Sequence, residues 1–260
     1  MSYEFIKVAV EDFIATVTLD NPPRNAQSPE VMEEIAAVFD EMSDRDDVRV
    51  VILTGAGKAF SAGVDMKRKA AGTHEEPRPG DQWRRARLAR EKSYAVLECK
   101  KPVITAVNGP ALGAGLGLAV MGDIILASEE GVFGLPEIDV GLAGGARHAM
   151  RIFPHSLVRR MALTGYRVTA EEAYRRGIIE ACLPAAELMP FARDMARQIA
   201  EKSPVAVLAT KDSLFTIEHM TIKEGYRYEQ NNTAHLAKTE DAKEAMRAFA
   251  EKRKPVFQGR

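Results

Sequence analysis

The chain has 260 residues, 46% of them hydrophobic and 28% charged, which is enough apolar material for one large core and too much for a disordered segment. Its 36 basic and 37 acidic residues leave a net charge of −1, so no global field recruits nucleic acid or an anionic membrane, and any anion has to be held locally. Cys99 and Cys182 have no metal-ligand spacing, no apolar stretch approaches the ~20 residues of a membrane span, and the first residues form no basic-then-apolar leader, so a cytoplasmic protein without a metal site is expected.

In chain order, Phe5–Val10 and Phe13–Leu19 carry β-branched and aromatic residues on either side of Glu11-Asp12 and are predicted to form a hairpin. Asn21-Pro22-Pro23-Arg24-Asn25 leads out as an extended loop. Ser28 followed by Pro29 starts a helix, and Val31, Ile35, Val38, Phe39 and Met42 recur at helical spacing to give it one buried face. Val48–Thr54 is a buried strand that ends at Gly55-Ala56-Gly57. This alternation favours a parallel or mixed sheet covered by helices. Lys67–Asp81 is charged, rich in Gly and Pro and without apolar period; it is either a functional loop or a plain surface insertion. A helix over Gln82–Cys99 follows, then a strand at Val103–Val107, a turn at Asn108-Gly109-Pro110 and a helix over Gly113–Met121 with few side chains at its start. Asp123–Ala127 and Gly131–Phe133 are predicted strands, and Thr169 with Glu172 forms a capping box. Ala186–Ile199 and Val205–Phe215 are amphipathic helices, Glu218–Lys254 holds two more, and no internal repeat is evident.

Two glycine-rich turns stand out, Ala59–Met66 (AFSAGVDM) and the stretch within Lys101–Asp123 (KPVITAVNGPALGAGLGLAVMGD). Glycine inside a helix costs roughly 1 kcal/mol against alanine, so Gly113, Gly115 and Gly117 need a reason: close packing, or a ligand lying on exposed amides. Glu137 follows the apolar run Val132–Pro136. Buried there, its carboxyl would have the raised pKa of a general acid/base; exposed, it would be an ordinary turn residue. Asp65 is suited to capping or anchoring the segment after the first turn. His148 and His155 have no ligand-like partners, a Gly-x-Ser-x-Gly nucleophile elbow is missing, and Gly109–Gly117 lacks the Lys-Ser/Thr of a P-loop.

The two turns at this spacing, with FGLPEIDVGLAGG after them, resemble the enoyl-CoA hydratase/isomerase superfamily, also called the crotonase family, and the resemblance runs from VTLDNPPRNA to EAMRAFAEKRKPVF. It implies an α/β fold, a crotonase-like spiral of ββα units over residues 1–200, with a helical oligomerisation region over 201–260. It also implies an acyl-CoA substrate, no cofactor beyond the CoA moiety, no nucleic-acid or membrane partner, and a homotrimer or dimer of trimers. Carried over by motif, the amides of Ala62 and Ala114 would hold the thioester oxygen and Glu137 would exchange protons with substrate carbon or water. Arg24, Gly63, Val64 and Asp65 would border the CoA, and Lys252, from this or a neighbouring subunit, would reach its phosphate. Trp83, Leu88 and Tyr94 are candidates for lining the acyl pocket, with Leu88 better suited to the core.

The pattern departs from the two-glutamate hydratases at Gly117, where those enzymes carry a second carboxylate that positions and activates water. The aspartates that dienoyl-CoA isomerases place at the positions of Gly117 and Gly145 are also absent. One carboxylate suffices for a 1,3 proton shift, and one glutamate with one water could manage hydration. Asp139, which strand alternation would point the same way as Glu137, and His148 are candidates for assistance. Hydrolysis, decarboxylation or C–C cleavage of an acyl-CoA, or a silent CoA-thioester-binding protein, are the alternatives.

Overall fold

β1 (Ile6–Glu11) and β2 (Ile14–Leu19) form the expected antiparallel hairpin, closed by Asp12 and Phe13 at φ 50° and 64°. Positive φ at both central residues gives a turn whose twist matches that of the strands. Phe13, 47% exposed, sits under the Arg49 guanidinium 4.2 Å from its ring centroid. The computed structural model describes residues 2–65 and 78–260.

β3 (Val50–Gly55), β4 (Val103–Val107), β6 (Ile124–Ser128) and β9 (Ala181–Leu183) join the hairpin in parallel, in the order β1-β2-β3-β4-β6-β9. β3 and β4 are buried along their whole length, as continuous apolar runs covered on both faces should be. On one face lies the helix α1 (Pro29–Asp44), whose Ser28 cap accepts from the Val31 N–H and whose Val31, Ile35, Val38, Phe39 and Met42 enter the larger core. Against the other face α7 (Ala185–Ala200) sets Leu188, Ala192, Ala196 and Ala200 on Val50, Ile52, Ile104 and Leu126.

A second layer holds three short strands, β5 (Pro110–Leu112), β7 (Val132–Gly134) and β8 (Arg167–Thr169), in the order β5-β7-β8. Single bridges, Ser61 to Ala111 and Gln27 to Val64, continue that layer towards the N-terminus. β2, β3, β4 and β6 are each followed by a short strand or a single bridge in the second layer and then by a helical segment, as in β4, β5 and α3 (Ala114–Ala119). This is the spiral of ββα units that the family resemblance implies.

α2 (Asp81–Leu97) packs on α1 and touches α3. α4 (Ala146–Ala149), α5 (His155–Thr164) and α6 (Ala170–Arg175) precede β9, with Thr169 capping α6 by accepting from the Glu172 N–H. α8 (Pro204–Ile217), α9 (Ile222–Leu236) and α10 (Glu240–Ala250) close the chain. α8 is pinned to the core by Lys211, whose Nζ donates to the Lys101 carbonyl at 2.9 Å and to Asp123 Oδ2 at 2.7 Å.

Two local expectations change. Residues Pro136–Val140 form a 3₁₀ turn, so strand alternation does not relate Glu137 to Asp139. The predicted turn at Asn108-Gly109-Pro110 gives way at Pro110 to β5, where proline opens the strand and costs it no ladder bond. Most of the loop expected over Lys67–Asp81 lies outside the described residues. Among the described residues no helix is long and apolar enough to cross a membrane, and no group of His, Cys, Asp or Glu could hold a metal ion. Cys99 is buried and Cys182 half-buried, both as free thiols.

Candidate active site

The loop after the hairpin fastens the first glycine turn. Asn25, buried and at φ 54°, directs its Nδ2 at the carbonyls of Ala56, Ala59 and Phe60, at 3.0, 2.8 and 3.2 Å. Ser61 Oγ donates back to the Asn25 carbonyl at 2.7 Å. Gln27 Nε2 then reaches both turns, donating to Ser61 Oγ at 3.1 Å and to the Ala114 carbonyl at 3.4 Å. The turns also meet through their glycines. A Cβ on Gly63, which has φ +86°, would stand 2.6 Å from the Leu112 carbonyl oxygen and 3.2 Å from Ala114 N, and one on Gly115 would collide with the Ser61 carbonyl. Close packing explains Gly115; Gly113 and Gly117 have other neighbours.

The amides of the two turns are not equivalent. The Ala62 N–H is donated to the Arg24 carbonyl at 2.9 Å, so the amide expected to receive a ligand oxygen is already engaged. In the parallel bridge to Gln27 it is Gly63 and Asp65 that bond, Gly63 through its carbonyl at 2.7 Å and Asp65 through its N–H at 3.3 Å. Val64 between them keeps its own N–H pointing away from Gln27 and without a partner among the described residues. Across the junction, Ala114 N is the first amide of α3, whose ladder starts only with Gly117 N to Gly113 O, so it too is unpaired. Among the described residues the unpaired amides are therefore those of Val64 and Ala114, whereas the amide of Ala62, expected from the sequence, is engaged by Arg24.

Glu137 comes to this junction on the 3₁₀ turn after β7. A Cβ on Gly113 would lie 2.6 Å from its Oε1, which places the carboxyl against the residue before Ala114. Its Oε2 is buried without a hydrogen-bond partner. Burial pushes its pKa up from the ordinary carboxylate value, against a smaller opposing effect of its own backbone. Next along α3, a Cβ on Gly117 would lie 2.9 Å from His148 Nδ1, so the space a side chain would take there is filled by the imidazole. Burial first, then the charges of Lys92 and Arg147, push the His148 pKa down.

Lys92 is the ionisable group that sequence reading missed. It is 2% exposed on α2 and donates to the Ala114 carbonyl at 3.1 Å, and burial lowers its pKa to about 7. The signal was present: Leu88, Lys92 and Val96 form one row at helical spacing, with a lysine where the apolar stripe calls for a hydrophobe. Asn25 and Gln27 were missed for want of any local pattern.

A family model described as enoyl-CoA hydratase/isomerase matches residues 10–260. The chain belongs to the enoyl-CoA hydratase/isomerase family. Carnitinyl-CoA dehydratase of Escherichia coli (strain K12) is 38% identical over 257 residues, 95% of each chain. The solved enoyl-CoA hydratase of Bacillus anthracis superposes with a TM-score of 0.91 at 30% identity, covering 99% of this chain and 100% of that one. An enoyl-CoA hydratase/isomerase of Mycobacterium paratuberculosis gives 0.89 at 33% identity with both chains covered in full. The chain is accordingly an enzyme of this family's lyase/isomerase class, built on the crotonase fold.

The remaining residues expected of such an enzyme are dispersed. Arg24 is exposed and adjoins the first turn through its carbonyl, and Asp65 is half-buried directly after Val64. Lys252 is exposed beyond the end of α10 at φ 54°. Asp139 is held elsewhere: a Cβ on Gly165, at the C-terminus of α5, would be 2.7 Å from its Oδ1. Trp83 is 61% exposed with the Arg87 guanidinium 5.8 Å from its ring centroid, Tyr94 is exposed and Leu88 half-buried.

Proposed function

We propose that this hydratase/isomerase-family enzyme acts on an unsaturated acyl-CoA thioester through an enolate, with the thioester oxygen on the amides of Val64 and Ala114 and Glu137 as the carboxyl acid/base. The observation that carries this is Glu137: a half-buried carboxyl set against Gly113, with its Oε2 unpartnered, next to an amide unpaired among the described residues. Negative charge moves onto the thioester oxygen as the enolate forms, and each preorganised amide aimed at it is worth roughly 3 kcal/mol of transition-state stabilisation. A carboxyl whose pKa is raised by burial can hold a proton for delivery to the carbon beside the thioester and take it back in reverse.

Addition and removal of water across the double bond is the reading favoured by relatives named as a carnitinyl-CoA dehydratase and as enoyl-CoA hydratases. Migration of the double bond would use the same enolate. The reaction as read employs only protein groups and the CoA moiety of the substrate. Arg24, Gly63 and Asp65 border the CoA beside Val64, and Lys252 reaches its phosphate. Residues 201–260 carry the assembly surface of a cytoplasmic homotrimer or dimer of trimers; exposed Ile222, Met246 and Phe249 support that role.

The test is mass spectrometry of 2-enoyl- and 3-enoyl-CoA panels in D₂O with the wild type and Glu137→Gln. A product heavier by the elements of water and lost in the variant supports hydration, and deuterium uptake with a shifted double bond and no added water supports isomerisation. CoA binding without turnover of any member would leave a silent binding protein instead.

A further inference from the structure

We propose that His148 stands in for the second carboxylate, so that hydration is carried by a carboxylic acid and an imidazole in place of two glutamates. This rests on the acyl-CoA reading above. Three observations place the imidazole in that role. First, it occupies the one direction in which a side chain at 117 would extend, because a Cβ there would lie 2.9 Å from Nδ1. Glycine at 117 and histidine at 148 are thus two halves of one arrangement. Second, the helix that carries it begins beside Glu137: the Cβ position of Gly145, the N-cap of α4, is 4.0 Å from Glu137 Oε1 and 3.9 Å from the Gly113 carbonyl. Third, His148 is half-buried and neither ring nitrogen has a hydrogen-bond partner among the described residues, so the ring is free to bond a water.

The charges that act on the ring are those of Lys92 from α2 and Arg147 from α4; α3 contributes none, and Glu137 reaches the same junction, against Gly113, from the 3₁₀ turn. Burial first, and then the positive charges of Lys92 and Arg147, favour the neutral imidazole, while burial favours the protonated form of Glu137. Environments that push an acid up and a base down set each for its task. In hydration the neutral imidazole takes a proton from water as the water oxygen bonds to C3. The C2=C3 pair moves towards C2 and the thioester oxygen becomes an enolate oxygen on the two amides. Glu137 then gives its proton to C2 and the carbonyl re-forms. The product has gained H and OH, Glu137 is left as carboxylate and His148 as imidazolium, and transfer of one proton between them through solvent restores both.

The test combines His148→Ala, His148→Gln and the double variant Gly117→Glu/His148→Ala, assayed for hydration and for deuterium exchange at C2 of a saturated acyl-CoA. Loss of His148 is expected to lower the hydration kcat by roughly 10²–10⁴-fold with KM little changed. The acidic limb of the hydration pH profile should disappear, and C2 exchange, which needs Glu137, should fall far less. The double variant, with room for a carboxylate at 117, should recover part of the lost hydration. His148→Gln keeps the bulk without a titrating ring and serves if the alanine variant does not fold. Hydration with an unchanged acidic limb in either single variant would overturn the proposal, as would a parallel fall in hydration and exchange. A wild type that neither hydrates nor exchanges would overturn the acyl-CoA reading itself; one that exchanges but never hydrates would overturn only the role of His148.

Discussion

Glu137 and Lys92 are both ionisable groups taken out of water, and their consequences differ. For Glu137 the raised pKa serves proton transfer, so Glu137→Gln, which keeps shape and removes the proton carrier, should lower kcat by roughly 10²–10⁴-fold with little change in thioester affinity. An isothermal titration with the substrate analogue alongside the rate assay separates the two. Lys92 titrates at about 7 in the folded protein against roughly 10.4 in the unfolded chain. Between those values the unfolded state binds more protons, so the unfavourable contribution of Lys92 is full below about pH 7 and fades as pH rises towards 10. Lys92→Met, which fills the same space, should therefore raise stability by roughly 1–4 kcal/mol near pH 6 and by less near pH 9.5. Urea denaturation at both pH values measures this; a difference independent of pH would show that Lys92 is not buried as a charge. The Ala114 carbonyl retains Gln27 as a donor in that variant.

At the scale of elements, the loop from Asn21 to Gln27 decides which amides are free. Replacing Asn25 by glycine keeps the positive φ and deletes the donor that holds Ala56, Ala59 and Phe60. The expected cost is roughly 1–3 kcal/mol in thermal or urea unfolding, with a fall in kcat/KM at temperatures where the variant remains folded, because Val64 loses its fixed position. Unchanged kcat/KM would mean that the first turn is held without Asn25. Much of this scale could be read from sequence: Ser28-Pro29, the Val31–Met42 stripe and the Thr169–Glu172 box each work through neighbours in the chain. That the Ala62 amide is engaged and the Val64 amide is not could not be read, because it depends on the register of one bridge to Gln27. Likewise, Asp139 turned away because the 3₁₀ turn, with three residues per turn, replaced the alternation of a strand.

For the molecule as a whole, the ββα repeat was invisible as a sequence repeat because its second strand shrinks to single bridges at Gln27 and Ser61, leaving no common length or composition. The family motif supplied the architecture, since the glycine turns can meet only if the spiral brings β3 and β4 side by side. His148 and Lys92 arrive at those turns from α4 and α2, and nothing local marks either as a neighbour of Gly117 or Ala114. The C-terminal helices are anchored by Lys211 yet leave Phe249 87% exposed, beside exposed Met246. Phe249→Asp should shift the protein to a smaller species in sedimentation velocity while its circular dichroism stays folded. Equal sedimentation of wild type and variant would remove this face from the assembly.

Catalysis in this reading turns on Glu137 moving the proton beside a thioester whose oxygen rests on the Val64 and Ala114 amides. Deuterium exchange at C2 of a saturated acyl-CoA in D₂O tests this without assuming the fate of any double bond. Exchange by the wild type is expected, with near-complete loss in Glu137→Gln and unimpaired thioester binding by that variant. Exchange that persists in Glu137→Gln at the wild-type rate would remove Glu137 from the proton transfer.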